Sequence, residues 1–202
     1  MKVGLLIILC LSVKFIYGQQ PSETKEIKAQ IKAYNNNIDS LNRILEDIQL
    51  DEMNQELRSF FLPKIDSSED LIAHRALFLV YDETHEQAKW VLHKISTSIL
   101  EGKVGRTNDF RIDPLIKSES AEEKDYFLKT KQEDGKYDYD GFGYDRGHLA
   151  PSADFRWSQK ALSESYFYSN MSPQAPSFNR ERWADLEGLI RGYFYENKRA
   201  LI

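Results

Sequence analysis

The chain has 202 residues, 41% of them hydrophobic and 12% aromatic, the balance of a globular protein with one ordinary core rather than of a disordered chain. Its 27 basic residues stand against 32 acidic ones, a formal charge of −5, which excludes broad electrostatic capture of polyanions by the whole surface. A nucleic-acid partner has to be gripped by a local patch.

The first eighteen residues read as a secretory signal. Lys2 gives the positive start, residues 3–13 are nearly all apolar, and the stretch ends at Ile16-Tyr17-Gly18 before Gln19-Gln20-Pro21. The apolar core is too short to span a bilayer comfortably. Cleavage near Gly18 implies a secreted or periplasmic protein with no stable membrane insertion, and it removes Cys10, the only cysteine. Lipid attachment through Cys10 is the weaker reading, because Leu9 stands where a small residue is expected. Cleavage also takes Lys2 and Lys14 from the 27 basic residues, leaving 25 against 32 and a formal charge of −7.

Across residues 24–50 the apolar positions Ile27, Ile31, Tyr34, Ile38, Leu41, Leu45 and Ile48 are spaced 4, 3, 4, 3, 4, 3, a heptad seam of about three repeats. The spacing predicts an amphipathic helix, either a coiled coil forming a homodimer through residues 24–50 or a helix packed on its own core. Asn35-Asn36-Asn37 weakens it. Leu62-Pro63 and Asp66-Ser67-Ser68-Glu69-Asp70 mark a turn-rich linker, so residues 19–66 form a helical extension with its linker and residues 67–202 a domain. Within the domain, residues 76–81 and 88–95 read as two strands joined by the polar turn 82–85. Residues 100–118 read as an irregular connection. The acidic, tyrosine-rich and glycine-broken stretch 119–143 reads as a surface loop or short helix.

The run Tyr144-Asp145-Arg146-Gly147-His148-Leu149-Ala150-Pro151 places an acid, a guanidinium, a glycine and an imidazole in succession. Gly143 and Pro151 bound a predicted strand, on which Asp145 and Gly147 point one way and Arg146 and His148 the other. A neutral imidazole accepts a proton from water near physiological pH, so cleavage dependent on it should fall below pH about 6.5. Gly147 would let a phosphate or metal approach the backbone. A second strand over 165–171 ends at Asn170, and Ser172-Pro173 turns the chain. Asn179 then opens a helix on which Trp183, Glu187 and Arg191 follow at intervals of four, one slowly drifting stripe. Two strands presenting His148 and Asn170, closed by a helix presenting Asn179 and Glu187, form a ββα unit around a small cation. Arg146, Arg156, Lys160, Arg180 and Arg182 supply the local basic patch. Asp145 reads as the partner of a neighbouring arginine, Trp183 as core, and His74, His85 and His93 as ordinary histidines.

The 144–151 run, together with Phe167-Tyr168-Ser169-Asn170-Met171-Ser172-Pro173-Gln174 and Phe178-Asn179-Arg180-Glu181-Arg182-Trp183-Ala184-Asp185-Leu186-Glu187, resembles the catalytic core of the DNA/RNA non-specific endonucleases. These are the endonuclease G-like members of the ββα-metal (His-Me finger) nucleases. The resemblance implies an α+β fold, with the ββα-metal core on a mixed or antiparallel sheet preceded by the N-terminal amphipathic helix. It implies a sugar-non-specific endonuclease dependent on Mg²⁺, with Mn²⁺ as the alternative ion, that hydrolyses DNA and RNA to products carrying 5′-phosphates. It assigns His148 as general base, Asn179 as the sole direct protein ligand of the metal and Glu187 as holder of water at the metal. Asn170, Arg146 and Arg191 would assist at the phosphate, and Arg106, in Gly105-Arg106-Thr107-Asn108-Asp109-Phe110, would contact it. Family domains continue with further strands where this chain ends at Ile202, so the rival expectation is a non-catalytic, truncated nuclease-like binding or assembly module. A serine or cysteine hydrolase has little support, because the mature chain lacks cysteine and no Gly-x-Ser-x-Gly occurs.

Overall fold

The computed structural model describes residues 21–67, 69–197 and 201. The signal read in residues 1–18, Cys10 included, lies outside the described residues. The chain divides into two compact units, Met1–Ile44 and Leu45–Ile202, with the division inside helix α1 (Pro21–Glu56) rather than in the 62–70 turn region. Asn35-Asn36-Asn37 leaves α1 continuous, since each asparagine costs less than about 1 kcal/mol of helix propensity. In the second unit the last turns of the helix bury Leu50 and Met53, and the π-helical turn that follows (Leu57–Phe61) buries Leu57, in the main core beside Leu77, Phe78, Leu79, Phe155 and Tyr166.

The first sheet is antiparallel, in the order β1 (Leu71–Ala73), β2 (Leu77–Asp82), β3 (Gln87–His93). Strand β2 lies in the middle and is buried on both faces over residues 77–81, which is why its apolar run is unbroken rather than alternating. The β2–β3 hairpin expected from the sequence closes through Asp82, whose carboxylate accepts the backbone N–H of Thr84 (2.9 Å) and of His85 (3.3 Å). Glu86 then takes a left-handed conformation, φ 51°.

Two expectations need correcting. The stretch 119–143 does hold a short helix, the 3₁₀ turn Glu123–Tyr126, but it continues into a hairpin of β4 (Phe127–Lys131) and β5 (Tyr137–Phe142), turned at Gly135 with φ 83°. Beyond Phe127 the β4 residues are exposed, so no apolar period announces the strand. The second strand of the site also lies later than expected: β6 (Asp145–His148) pairs antiparallel with β7 (Met171–Gln174), His148 opposite Met171 and Arg146 opposite Pro173. Residues 165–170 are instead successive turns. Ser165 caps α2 (Gln159–Glu164), Tyr168–Asn170 forms a 3₁₀ turn, and Tyr166, Phe167 and Tyr168 are buried without being a strand. A short buried apolar run does not by itself distinguish the two. Pro173 fits β7 because each strand of a two-stranded sheet has an open edge, where a missing N–H costs no ladder bond.

After β7 a π-helical turn, Phe178–Trp183, runs directly into α3 (Ala184–Asn197). No described helix is long and apolar enough to cross a membrane. The architecture is α+β, with a long N-terminal helix followed along the chain by antiparallel sheets.

Candidate active site

Strand β6 delivers Arg146 and His148 to one side, as its alternation requires, and Phe110 packs against both. The Arg146 guanidinium carbon lies 3.8 Å from the Phe110 ring centroid, and the His148 ring lies 5.7 Å from it. Tyr166 meets His148 edge-on at 5.0 Å. The His148 carbonyl accepts the indole N–H of Trp183 at 2.8 Å, so Trp183, half-buried rather than core, ties the end of β6 to the helix. The Nε2 of His148 is buried with no hydrogen-bond partner. Burial, and then the Arg106 and Arg146 charges, pull its pKa down to about 3. The imidazole is therefore neutral throughout the physiological range.

On the other face of β6, Asp145 accepts two bonds from Arg180, at 2.8 and 2.7 Å, and one from the Asn179 amide nitrogen at 3.0 Å. The arginine pairing read in the sequence is present, and the hydrogen bond from Arg180 is the main reason the Asp145 carboxyl sits below its ordinary value. An ionised carboxylate only accepts hydrogen bonds, so Asp145 engages the NH₂ end of Asn179 and leaves Oδ1 available. Gly147 has a different use from the one expected. A Cβ there would lie 2.2 Å from the Gln174 side chain, so the glycine makes room for Gln174 rather than for a phosphate.

Asn179, Trp183, Glu187 and Arg191 form the predicted stripe, each half-buried, and the π turn carrying Asn179 widens its first part. Burial raises the Glu187 carboxyl above its ordinary value, with Arg191 at 3.7 Å partly opposing that. Arg191 also reaches Asp154 at 3.3 Å, and the second oxygen of this buried aspartate meets His93 Nε2 at 3.0 Å. His93, read as ordinary, thus belongs to the support of Arg191.

Asn170 is buried, and its amide is engaged by the main chain: Oδ1 accepts from Ala150 N at 2.9 Å, and Nδ2 donates to the carbonyls of Ala150 and Ser165 at 3.0 and 2.8 Å. Its place is behind the cleft, not in it. Arg156 bonds the Val104 carbonyl, Lys160 pairs with Asp47, and Arg182 is exposed, so these three do not gather into the expected patch. Two adjoining cavities of about 550 and 370 Å³ share Arg106, Arg146, Asn179 and Arg180, and the smaller one also reaches His148 and Glu187. Arg106 is steadied by Asn108, which accepts from its Nε at 2.8 Å while holding φ 52°. Asn108, Phe110 and Asp154 were not legible as site residues, because each meets its partners only through the fold.

No group of three His, Cys, Asp or Glu side chains poised for a metal occurs among the described residues. The donors the cleft does offer, one oriented amide oxygen and one carboxylate, suit a hard cation such as Mg²⁺ that keeps most of its waters.

Residues 63–202 match the family model of the DNA/RNA non-specific endonucleases. The human protein named endonuclease G, mitochondrial, is 35% identical over 137 residues, 67% of this chain and 41% of that protein. The mitochondrial nuclease of Saccharomyces cerevisiae is 33% identical over 124 residues, 61% of this chain and 35% of that protein. A solved chain from an EndoG/EndoGI complex aligns over 68% of this chain and 51% of its own, at 24% identity and a TM-score of 0.44. The chain spans less than half the length of these two relatives. The expected secreted or periplasmic location is overturned by the same comparison, since the human, bovine and yeast proteins are named as mitochondrial. With the 144–151 run, Asn179 and Glu187 gathered in one cleft and a family match across residues 63–202, the chain belongs to the DNA/RNA non-specific endonuclease family.

Proposed function

We propose that this chain is a metal-dependent, sugar-non-specific endonuclease that hydrolyses phosphodiester bonds in DNA and RNA. The observation that carries the reading is the unpartnered, buried Nε2 of His148 in the same cavity as Arg106, Arg146, Asn179 and Glu187. His148 takes the proton of the attacking water at that nitrogen. Burial holds its proton affinity low, and the Arg106 and Arg146 guanidinium charges add to that. A phosphate bound between Arg106 and Arg146 offsets those charges and makes the imidazole a stronger base when substrate is present.

Asn179, oriented by Asp145, would hold the cation through Oδ1, and Glu187 would hold water at it. Arg191, anchored on Asp154, steadies Glu187, and Asn170 fixes the turn that follows His148. When bound, Mg²⁺, with Mn²⁺ as the alternative, polarises the phosphate and stabilises the leaving oxygen. Arginines aimed at phosphates carry no base information, which accounts for cleavage regardless of sequence. The test is degradation of plasmid DNA and of a long RNA with Mg²⁺ and with excess chelator. Both polymers should be cut only with the metal. Cleavage that survives chelation contradicts the metal role, and binding without cleavage under every ion favours a non-catalytic binding module.

A further inference from the structure

The geometry points to a parallel two-stranded coiled coil between α1 and the α1 of a second copy of this chain. The seam residues Ile27, Ile31, Tyr34, Ile38, Leu41, Leu45 and Ile48 are 50–66% exposed. The helix buries Leu50 and Met53 through a different face: at 100° per residue their mean direction lies about 140° around the axis from Leu45 and Ile48. Continuing the 4, 3 spacing past Ile48 reaches Glu52 and Gln55, so the seam stops where core burial begins. The seam is therefore a second apolar face, distinct from the one that docks on the core, and its period of 3.5 is that of a supercoil.

The flanking positions argue for a second copy rather than a foreign helix. Partner choice in coiled coils is carried by charges beside the seam. Here, between residues 30 and 49, those positions are Gln30, Asn35, Asn37, Asn42, Ile44 and Gln49, which offer no charge for an oppositely charged partner to read. The one charged pair, Glu23 and Lys28, is self-complementary. In parallel register Glu23 of each copy faces Lys28 of the other. Ile31 and Ile38 hold the first of the two alternating seam positions and Leu41 the second, the arrangement that among parallel coils favours two strands, while Leu45 and Ile48 reverse it in the last repeat.

The experiment is sedimentation equilibrium of the full chain over a range of concentrations, beside the Ile38→Asp/Leu41→Asp variant, with a Cys10→Ser/Leu41→Cys chain oxidised in parallel. The unaltered chain should show a two-chain species that dissociates on dilution. The aspartates should weaken association by more than about a thousandfold, since each puts a charge into an apolar seam. The near-ultraviolet spectrum should stay unchanged, because both positions are exposed in the single chain. The cysteine chain should cross-link to itself, as only parallel pairing brings the two copies of residue 41 together. A single-chain species at the highest soluble concentration overturns the proposal. So does a dimer indifferent to the aspartates, and a dimer that fails to cross-link overturns the parallel pairing.

Discussion

Asp145 touches neither water nor phosphate in the proposed reaction, yet it selects the end of the Asn179 amide left for the cation. Asn179→Ala should abolish Mg²⁺-dependent cleavage while costing only about 1 kcal/mol of stability, since a half-buried amide gives up one hydrogen bond. Asp145→Ala should leave the ligand in place but free it to rotate, raising the Mg²⁺ concentration for half-maximal cleavage about tenfold, a loss of ~1.4 kcal/mol. Initial rates against Mg²⁺ decide the matter, and unchanged Mg²⁺ dependence in both variants would remove Asn179 from the metal site. His148 makes a separate prediction. Its native pKa of about 3 lies below the ordinary value, so above pH about 6.5 it is neutral in folded and unfolded chains alike. As pH falls, the unfolded chain binds a proton that the native fold refuses, and stability is lost progressively down to about pH 3. His148→Gln lacks this contribution, so its urea midpoint should drop less between pH 7 and pH 5 than that of the unaltered chain, and equal drops would contradict the burial of a neutral ring.

At the scale of elements, the junction of β6 and β7 depends on a glycine with no room for a side chain. Gly147→Ala places a methyl 2.2 Å from Gln174, so the variant should lose about 1–3 kcal/mol, the usual cost of overpacking. Gln174→Ala in the same chain should recover part of that loss. A double-mutant cycle by urea unfolding measures the coupling, and simple additivity would show that the glycine serves something else. The sequence made other junctions legible for specific reasons. The β2–β3 hairpin shows because β2 is a long run buried on both faces and Asp82 closes the turn. The stripe from Asn179 to Arg191 shows because its four-residue interval keeps one face across the π turn and α3. By contrast, β4 is mostly exposed and leaves no apolar signature, while Tyr166, Phe167 and Tyr168 carry strand-like composition into buried turns. Phe110 beneath Arg146, and Asp154 between His93 and Arg191, were invisible for another reason: they are contacts between distant parts of the chain that no local period encodes.

Over the whole molecule, a net charge of −5 coexists with a cleft lined by Arg106, Arg146 and Arg180, so any polyanion is held by a few contacts against a repulsive background. Duplex binding by an inactive variant should therefore weaken steeply with salt, with a log–log slope of about −3 for about three phosphate contacts. Arg146→Ala should make that slope shallower by about one, as read by filter binding at several salt concentrations; a slope near zero would place the nucleic acid elsewhere. In the proposed reaction chemistry is separate from capture, because His148 presents a buried, unpartnered Nε2 to the cavity that Arg106 and Arg146 also line. The central measurement is cleavage of plasmid DNA in Mg²⁺ by His148→Ala and the unaltered chain, with binding and circular dichroism taken on the same preparations. The variant should cut about 10²–10⁴-fold more slowly while binding DNA and folding as before; cleavage near the unaltered rate would contradict the assignment of His148 as the base.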